Sequence, residues 1–254
     1  KEKQDIIERR NYLVDKFVNA TPREVLDHLP SSIGEQFQGE WALYSCSMFS
    51  AALANISRLY PETVQDNLCY IQRLIDTVMS PELRAYDTNR WGEDALETLH
   101  GSKSHISYIS HLAWMICGYK SVGGDDRYDA VLSKLCDTMN RRILSSSSLN
   151  LPTYPGESIY VPDMLVAIVA LKQYSQMTDN RYSSTVDKWL ARAQHEWLDD
   201  ESELLVSFLG ADGTQYTDAP VKGSYSALNC YYLTLIDTTF ANEQYRLLKK
   251  HLWR

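Results

Sequence analysis

The stretch "PDMLVAIVALKQYSQMTDNRYSSTVDKWLARAQHEW", residues 162–197, decides the fold. From Met164 to Leu171 it is apolar on every face, the mark of a helix buried all round. A Thr-Asp-Asn turn follows. Val186, Trp189, Leu190, Ala193 and Trp197 then recur at i, i+3, i+4, i+7 and i+11, while Asp187, Lys188, Arg192 and Glu196 take the other side. That is a one-sided helix. The pair predicts a helical hairpin with an inner and an outer member.

The same order recurs along the chain. Residues 41–59, 105–119, 163–174 and 225–236 are apolar or small on most faces. Residues 62–79, 127–144, 183–197 and 240–252 carry one apolar stripe. A weak internal repeat matches "GDDRYDAVLSKL" from Gly124 to "TDNRYSSTVDKWL" from Thr178, with Arg127 and Arg181 54 residues apart. Asp125, Asp179 and Asp237 fall in equivalent turns, where an aspartate can cap the helix that follows. Repeats of this length in a helical chain mean stacked hairpins. Strand signals are almost absent. We therefore expect an all-α chain, residues 1–254 as one α/α-toroid domain with inner buried and outer amphipathic helices; a straight solenoid is the alternative. Four pairs and a helix at 4–20 fall short of a six-pair ring, so the ring is incomplete, cut short, or completed by a second copy in a homo-oligomer.

Composition bounds the function. The chain has 254 residues, 44% of them apolar, enough for a real interior. Net charge is -8, which argues against nucleic acid as a partner. No apolar run reaches the roughly 18 residues of a membrane span. The five cysteines lie in apolar helical stretches without CxxC spacing and read as buried small hydrophobes. The sequence opens at Lys1 without Met or a signal segment; if processing removed the start, a periplasmic or secreted protein is expected. There is no HExxH, GxSxG or phosphate loop, so we expect neither metal nor cofactor. Seventeen tyrosines and six tryptophans suit a cleft for sugars or other small molecules as well as a helical core.

Loop lengths locate the candidate site. Turns from inner to outer helices are short, whereas the connections near 80–104, 146–162 and 198–224 are long. In antiparallel hairpins all three lie at the end carrying the N-termini of the inner helices. Long loops on a rigid scaffold are where function concentrates. Asp163 stands behind Pro162 at the mouth of an inner helix, with Tyr154, Glu157 and Tyr160 in the preceding loop. Either it only balances the helix dipole, or it is a buried carboxyl usable as a general acid. His105 stands at another such mouth, with Ser104 as a cap and Trp91 and His100 in the connection before it. His111 is about 120° out of phase with His105 on a helix, so the two are no metal pair; we expect it to be an interior, hydrogen-bonded histidine. Asp212-Gly213 reads as a turn. Tyr216, Asp218 and Tyr225 come from the third connection, and Glu40, Trp41 and Tyr44 from the first inner helix. We take Asp163, His105, Tyr160 and Glu157 as catalytic candidates and Tyr44, Trp91, His100, Tyr154, Tyr216, Asp218 and Tyr225 as substrate-binding candidates.

"YVPDMLVAIVALKQYSQMTDNRY", residues 160–182, resembles the linalool dehydratase/isomerase-like domain family, with weaker likeness over about residues 90–254. The resemblance implies an α/α toroid and cofactor-independent acid–base dehydration and isomerisation of tertiary terpene alcohols, with Asp163 and Tyr160 at the cavity. That chemistry has been associated with cavity cysteines too; here no cysteine lies in a loop before an inner helix. Two other readings stand beside it. One is a glycoside hydrolase or polysaccharide-processing enzyme, with Asp163 paired to Glu157 or Asp218. The other is a non-catalytic binding or scaffold protein, in which Asp163 would be a solvated N-terminal residue.

Overall fold

A computed structural model describes residues 1–29, 34–216 and 221–252. It is 69% helical, and among the described residues the only strands are two residues long, so the fold is all-α. None of the described helices is long and apolar enough to cross a membrane. The chain forms two compact units, residues 1–99 with 111–133, and residues 100–110 with 134–254.

The first unit holds α1 (Glu2–Leu13), which runs into a π-helical turn (Val14–Val18), then α2 (Pro22–Asp27), α3 (Glu35–Leu59), α4 (Val64–Met79) and α5 (Pro81–Trp91). α1 and the π turn together span residues 2–18, in agreement with the helix expected over 4–20. α4 matches the expected outer helix and buries Ile71, Leu74, Ile75 and Val78 on one stripe. α5 is a correction, because 80–104 reads as a loop in the sequence. Its signals are local: Ser80 accepts from the Leu83 N–H, Pro81 opens the helix, and Gly92 closes it with φ +73°. α3 also differs from expectation. Trp41, Met48, Ala52 and Asn55 are exposed, so this helix is open on one side, although α4 and α5 pack on it.

α6 (Ile106–Ser121) and α7 (Asp129–Ser145) begin in one unit and end in the other. The second unit continues with β1 (Ile159–Tyr160), α8 (Val161–Met177), α9 (Ser183–Glu196), β2 (Phe208–Leu209), α10 (Gly223–Thr234) and α11 (Thr238–His251). α8 is the inner helix in full form, with every residue from Val161 to Leu171 buried. It packs on α9 and α10, and α10 packs on α11. Val186, Trp189, Ala193 and Trp197 are buried as the stripe requires, with Leu190 half-buried. The Trp189 indole donates to Asn150 Oδ1 at 2.9 Å and the Tyr182 hydroxyl to Asp137 at 2.6 Å, which ties α9 and the turn before it to neighbouring segments. α10 carries exposed Ser224, Ala227 and Thr234, so it too is less enclosed than expected.

Two of the three turn aspartates do not cap. Asp125 accepts from Arg127 and Tyr119 instead, and Asp179 sits in left-handed backbone ahead of the helix. Asp237 does cap α11, accepting from the Phe240 N–H at 2.8 Å. Cys46, Cys117, Cys136 and Cys230 are buried, and burial pushes the Cys46 and Cys117 thiols up to about 12. Cys69 is the exception: it lies on the exposed side of α4.

The contact of α3 with α5 depends on Gly39. A Cβ there would lie 2.6 Å from Cβ and Cδ1 of Tyr86. Tyr86 Cβ is anchored to the backbone and cannot swing aside. Alanine gains about 1 kcal/mol of helix propensity, whereas overpacking costs about 1–3 kcal/mol. We expect Gly39→Ala to lower the melting temperature, measured by calorimetry; an unchanged or higher value would mean that α5 does not press on α3 as described.

Candidate active site at the mouth of helix α8

Two long connections meet at the start of α8. β1, just before the helix, pairs antiparallel with β2, which lies in the connection leading to α10; Ile159 faces Leu209 and Tyr160 faces Phe208. The Val161 N–H, one of the unpaired donors at a helix start, reaches the Ser207 carbonyl at 3.0 Å. This small ladder brings three half-buried rings together. Tyr160 lies 5.1 Å from Phe208 and 5.8 Å from Tyr225, and Phe208 lies 5.6 Å from Tyr225, centroid to centroid. Such tilted and edge-on contacts are the favoured aromatic geometry.

Asp163 is 1% exposed, and among the described residues of the second unit it is the only buried carboxyl group. Its Oδ2 accepts from Thr153 Oγ1 at 3.0 Å. From α10, Tyr232 (2% exposed) stands within electrostatic reach of Asp163 and Tyr160. Burial, then the Asp163 carboxylate, then Tyr160 raise its phenol far above the usual range. It therefore stays a proton-bearing donor across all ordinary pH.

His105 is fully buried at the start of α6, with φ +47°, an uncommon backbone for a non-glycine residue. The buried Arg142 guanidinium holds the segment before it, donating to the carbonyls of Ser104 at 2.9 Å and Gly101 at 3.2 Å. Ser104 Oγ accepts from the Ile106 N–H at 3.2 Å.

Of the candidates, the structure groups Tyr160, Asp163 and Tyr225 around the α8 mouth, and Tyr154 is buried on the same loop. Glu157 and His100 are exposed. An exposed carboxylate lacks the low-dielectric setting a general acid needs. Tyr216 is exposed and hydrogen-bonded to Ser158. Asp218 lies outside the described residues. Tyr44 and Trp91 belong to the first unit, where the Tyr44 hydroxyl donates to Glu40 at 3.0 Å and Trp91 is buried at the end of α5. His111 is the interior histidine expected: Nδ1 lies 2.7 Å from Ser47 Oγ, and the ring packs on Tyr44 and Trp114. Asp212 is a turn residue, accepting from the Thr214 N–H and hydroxyl. Trp41 is exposed.

Thr153, Phe208, Ser226, Asn229 and Tyr232 are additions that the sequence reading missed. One signal was present: Tyr225, Asn229 and Tyr232 share one face of α10 at i, i+4 and i+7. Among the described residues no group of three or more His, Cys, Asp or Glu could hold a metal ion. No protein-family model matches the chain, and no curated protein matches it either. Fold and geometry therefore define the class: an all-α protein with a buried, hydrogen-bonded carboxyl group at the start of a buried helix and an aromatic cluster in the connections beside it.

The raised Tyr232 phenol has a consequence for stability. In the unfolded chain tyrosine ionises near about pH 10, while the native phenol keeps its proton. The stabilisation is complete below that pH and is lost as pH rises above it. Tyr128 and Tyr182 act in the same direction, raised by burial and then by hydrogen bonds to Asp76 and Asp137. We expect the melting temperature to fall as pH passes about 10, and to fall less steeply in Tyr232→Phe; parallel curves would remove Tyr232 from this account.

Proposed function

We propose that this chain is a cofactor-independent acid–base enzyme, a lyase or isomerase of the linalool dehydratase/isomerase-like type, built on the α/α-toroid plan that the sequence suggests. The observation that carries the reading is Asp163, a carboxyl group 1% exposed that accepts a hydrogen bond from Thr153 at 3.0 Å. A scaffold's helix-end aspartate would be solvated; a catalytic one is withdrawn from water and supplied with polar neighbours. In the reaction, Asp163 in its acid form gives its proton to a leaving hydroxyl, which departs as water. His105, the candidate base, removes a proton from the adjacent carbon, and a double bond forms. Tyr232, which keeps its proton, serves as a hydrogen-bond donor. Return of the proton from His105 to Asp163 restores the site.

Glycoside hydrolysis is the second reading, favoured by the half-buried rings of Tyr160, Phe208 and Tyr225, which offer faces for a sugar ring. It needs two carboxyl groups about 5–9.5 Å apart, and Glu157, one of the two expected partners of Asp163, is exposed.

Asp163→Asn tests the proposal, because it keeps the shape of the side chain and removes its acid–base function. Terpene alcohols and neutral oligosaccharides are supplied, and products are followed by gas and liquid chromatography. We expect alkene formation from an alcohol by the wild type and a loss of about 100-fold or more in turnover in a variant that still unfolds cooperatively. Undiminished turnover in Asp163→Asn would defeat the reading; release of a reducing sugar would move it to the hydrolase class.

A further inference from the structure

Helix α10 carries two buried oxygens that the described protein leaves unused. Ser226 Oγ and Asn229 Oδ1 are buried and have no hydrogen-bond partner among the described residues, although both side chains are only 2% exposed. Buried polar atoms are nearly always paired, and each exception needs an explanation. The two residues are three apart on one helix and therefore neighbours in space. Tyr225, Asn229 and Tyr232 share one face, and Ser226 lies about 60° round the helix from Asn229. Tyr225 packs on Tyr160, and Tyr232 senses Asp163. Asn229 is further tied to the mouth of α8 through Ser207, whose Oγ lies 3.4 Å from Asn229 Nδ2 and whose carbonyl takes the Val161 N–H.

The orientation of the Asn229 amide is set by its bonds. Nδ2 donates to the Leu205 carbonyl at 3.2 Å as well as toward Ser207. The free atom is therefore the carbonyl oxygen, which can only accept. Ser226 can accept or donate. We propose that Ser226 and Asn229 form an acceptor pair that takes the hydroxyl hydrogen of a neutral ligand at the Asp163 site and rejects anionic ligands. The assignment rests on reading the α8 mouth as a ligand site and adds which residues set its specificity. A carboxylate or phosphate oxygen would meet the Asn229 carbonyl oxygen and the Asp163 carboxylate, both of which repel it. Lys222, over the Tyr225 ring at 5.6 Å, is exposed and its charge is screened by water.

Ser226→Ala separates binding from structure. Removing an unpaired buried hydroxyl relieves the free protein, whereas removing a bonded one destabilises it. Thermal shift is measured on wild type and Ser226→Ala with linalool, geraniol and cellobiose as neutral probes, and with glucuronate and geranyl diphosphate as anionic ones. We expect an alcohol to stabilise the wild type, about tenfold weaker binding in Ser226→Ala, an unchanged or higher melting temperature for the free variant, and no shift from either anion. Equal shifts in both proteins, a shift by an anion as large as by its neutral counterpart, a free variant less stable than wild type, or no shift of the wild type by any neutral probe would each overturn the assignment. Turnover by Asp163→Asn reports separately. A dead Asp163→Asn with normal alcohol binding by Ser226→Ala keeps the acid–base reading and removes this pair; an active Asp163→Asn with weakened binding in Ser226→Ala does the reverse.

Discussion

Enclosure of α8 is the constraint on which the rest of the second unit depends. Eleven consecutive residues from Val161 to Leu171 are buried, and ten of them are apolar. The remaining one is Asp163. Withdrawing a carboxyl group from water is costly unless it is hydrogen-bonded. Here the Thr153 hydroxyl supplies a bond, and the N-terminal end of the helix supplies a favourable field. The first turn of this buried helix thus carries a carboxyl group withdrawn from water. A helix open to water on one side would carry the same aspartate without consequence.

The long connections follow from that enclosure. The backbone groups at the start of a buried helix need partners, and the Ser207 carbonyl is one of them. Pairing of Ile159–Tyr160 with Phe208–Leu209 is too short to be a sheet with its own stability. Its effect is positional. It sets Tyr160 beside Phe208 and presents both to Tyr225 on α10. The rings are half-buried, and the faces they leave are where a ligand can lie.

Polar groups on α10 complete the picture. Tyr232 is kept protonated by the same burial and the same carboxylate. Ser226 and Asn229 are left with acceptor capacity that no described side chain takes up. One buried helix and one partly covered helix together present a proton donor, a carboxyl group and two acceptors, with one rigid backbone behind each.

Much of the helical pattern was legible in the sequence because periodicity records how much of a helix meets other apolar surface. The stripe on α9 and the all-round apolarity of α8 are direct records of this kind. α5 was overlooked since its composition is polar, yet the Ser-Pro start and Gly92 stop were there to be read. Asp163 was legible as a candidate because a lone carboxylate interrupts an apolar run. Its environment was not. Phe208 lies 45 residues beyond Asp163 in the chain and Tyr232 lies 69 beyond, and no local pattern reports which distant side chains a fold brings together. That Glu157 is exposed was not legible for the same reason: on a loop, sequence proximity to Asp163 does not set whether a side chain turns inward or to water. By itself the sequence determined the helices and which faces they bury, because those are matters of local spacing and hydrophobicity. Which rings gather at the start of α8, and which backbone carbonyl meets its first N–H, was decided only by tertiary packing, because that depends on how separate segments dock.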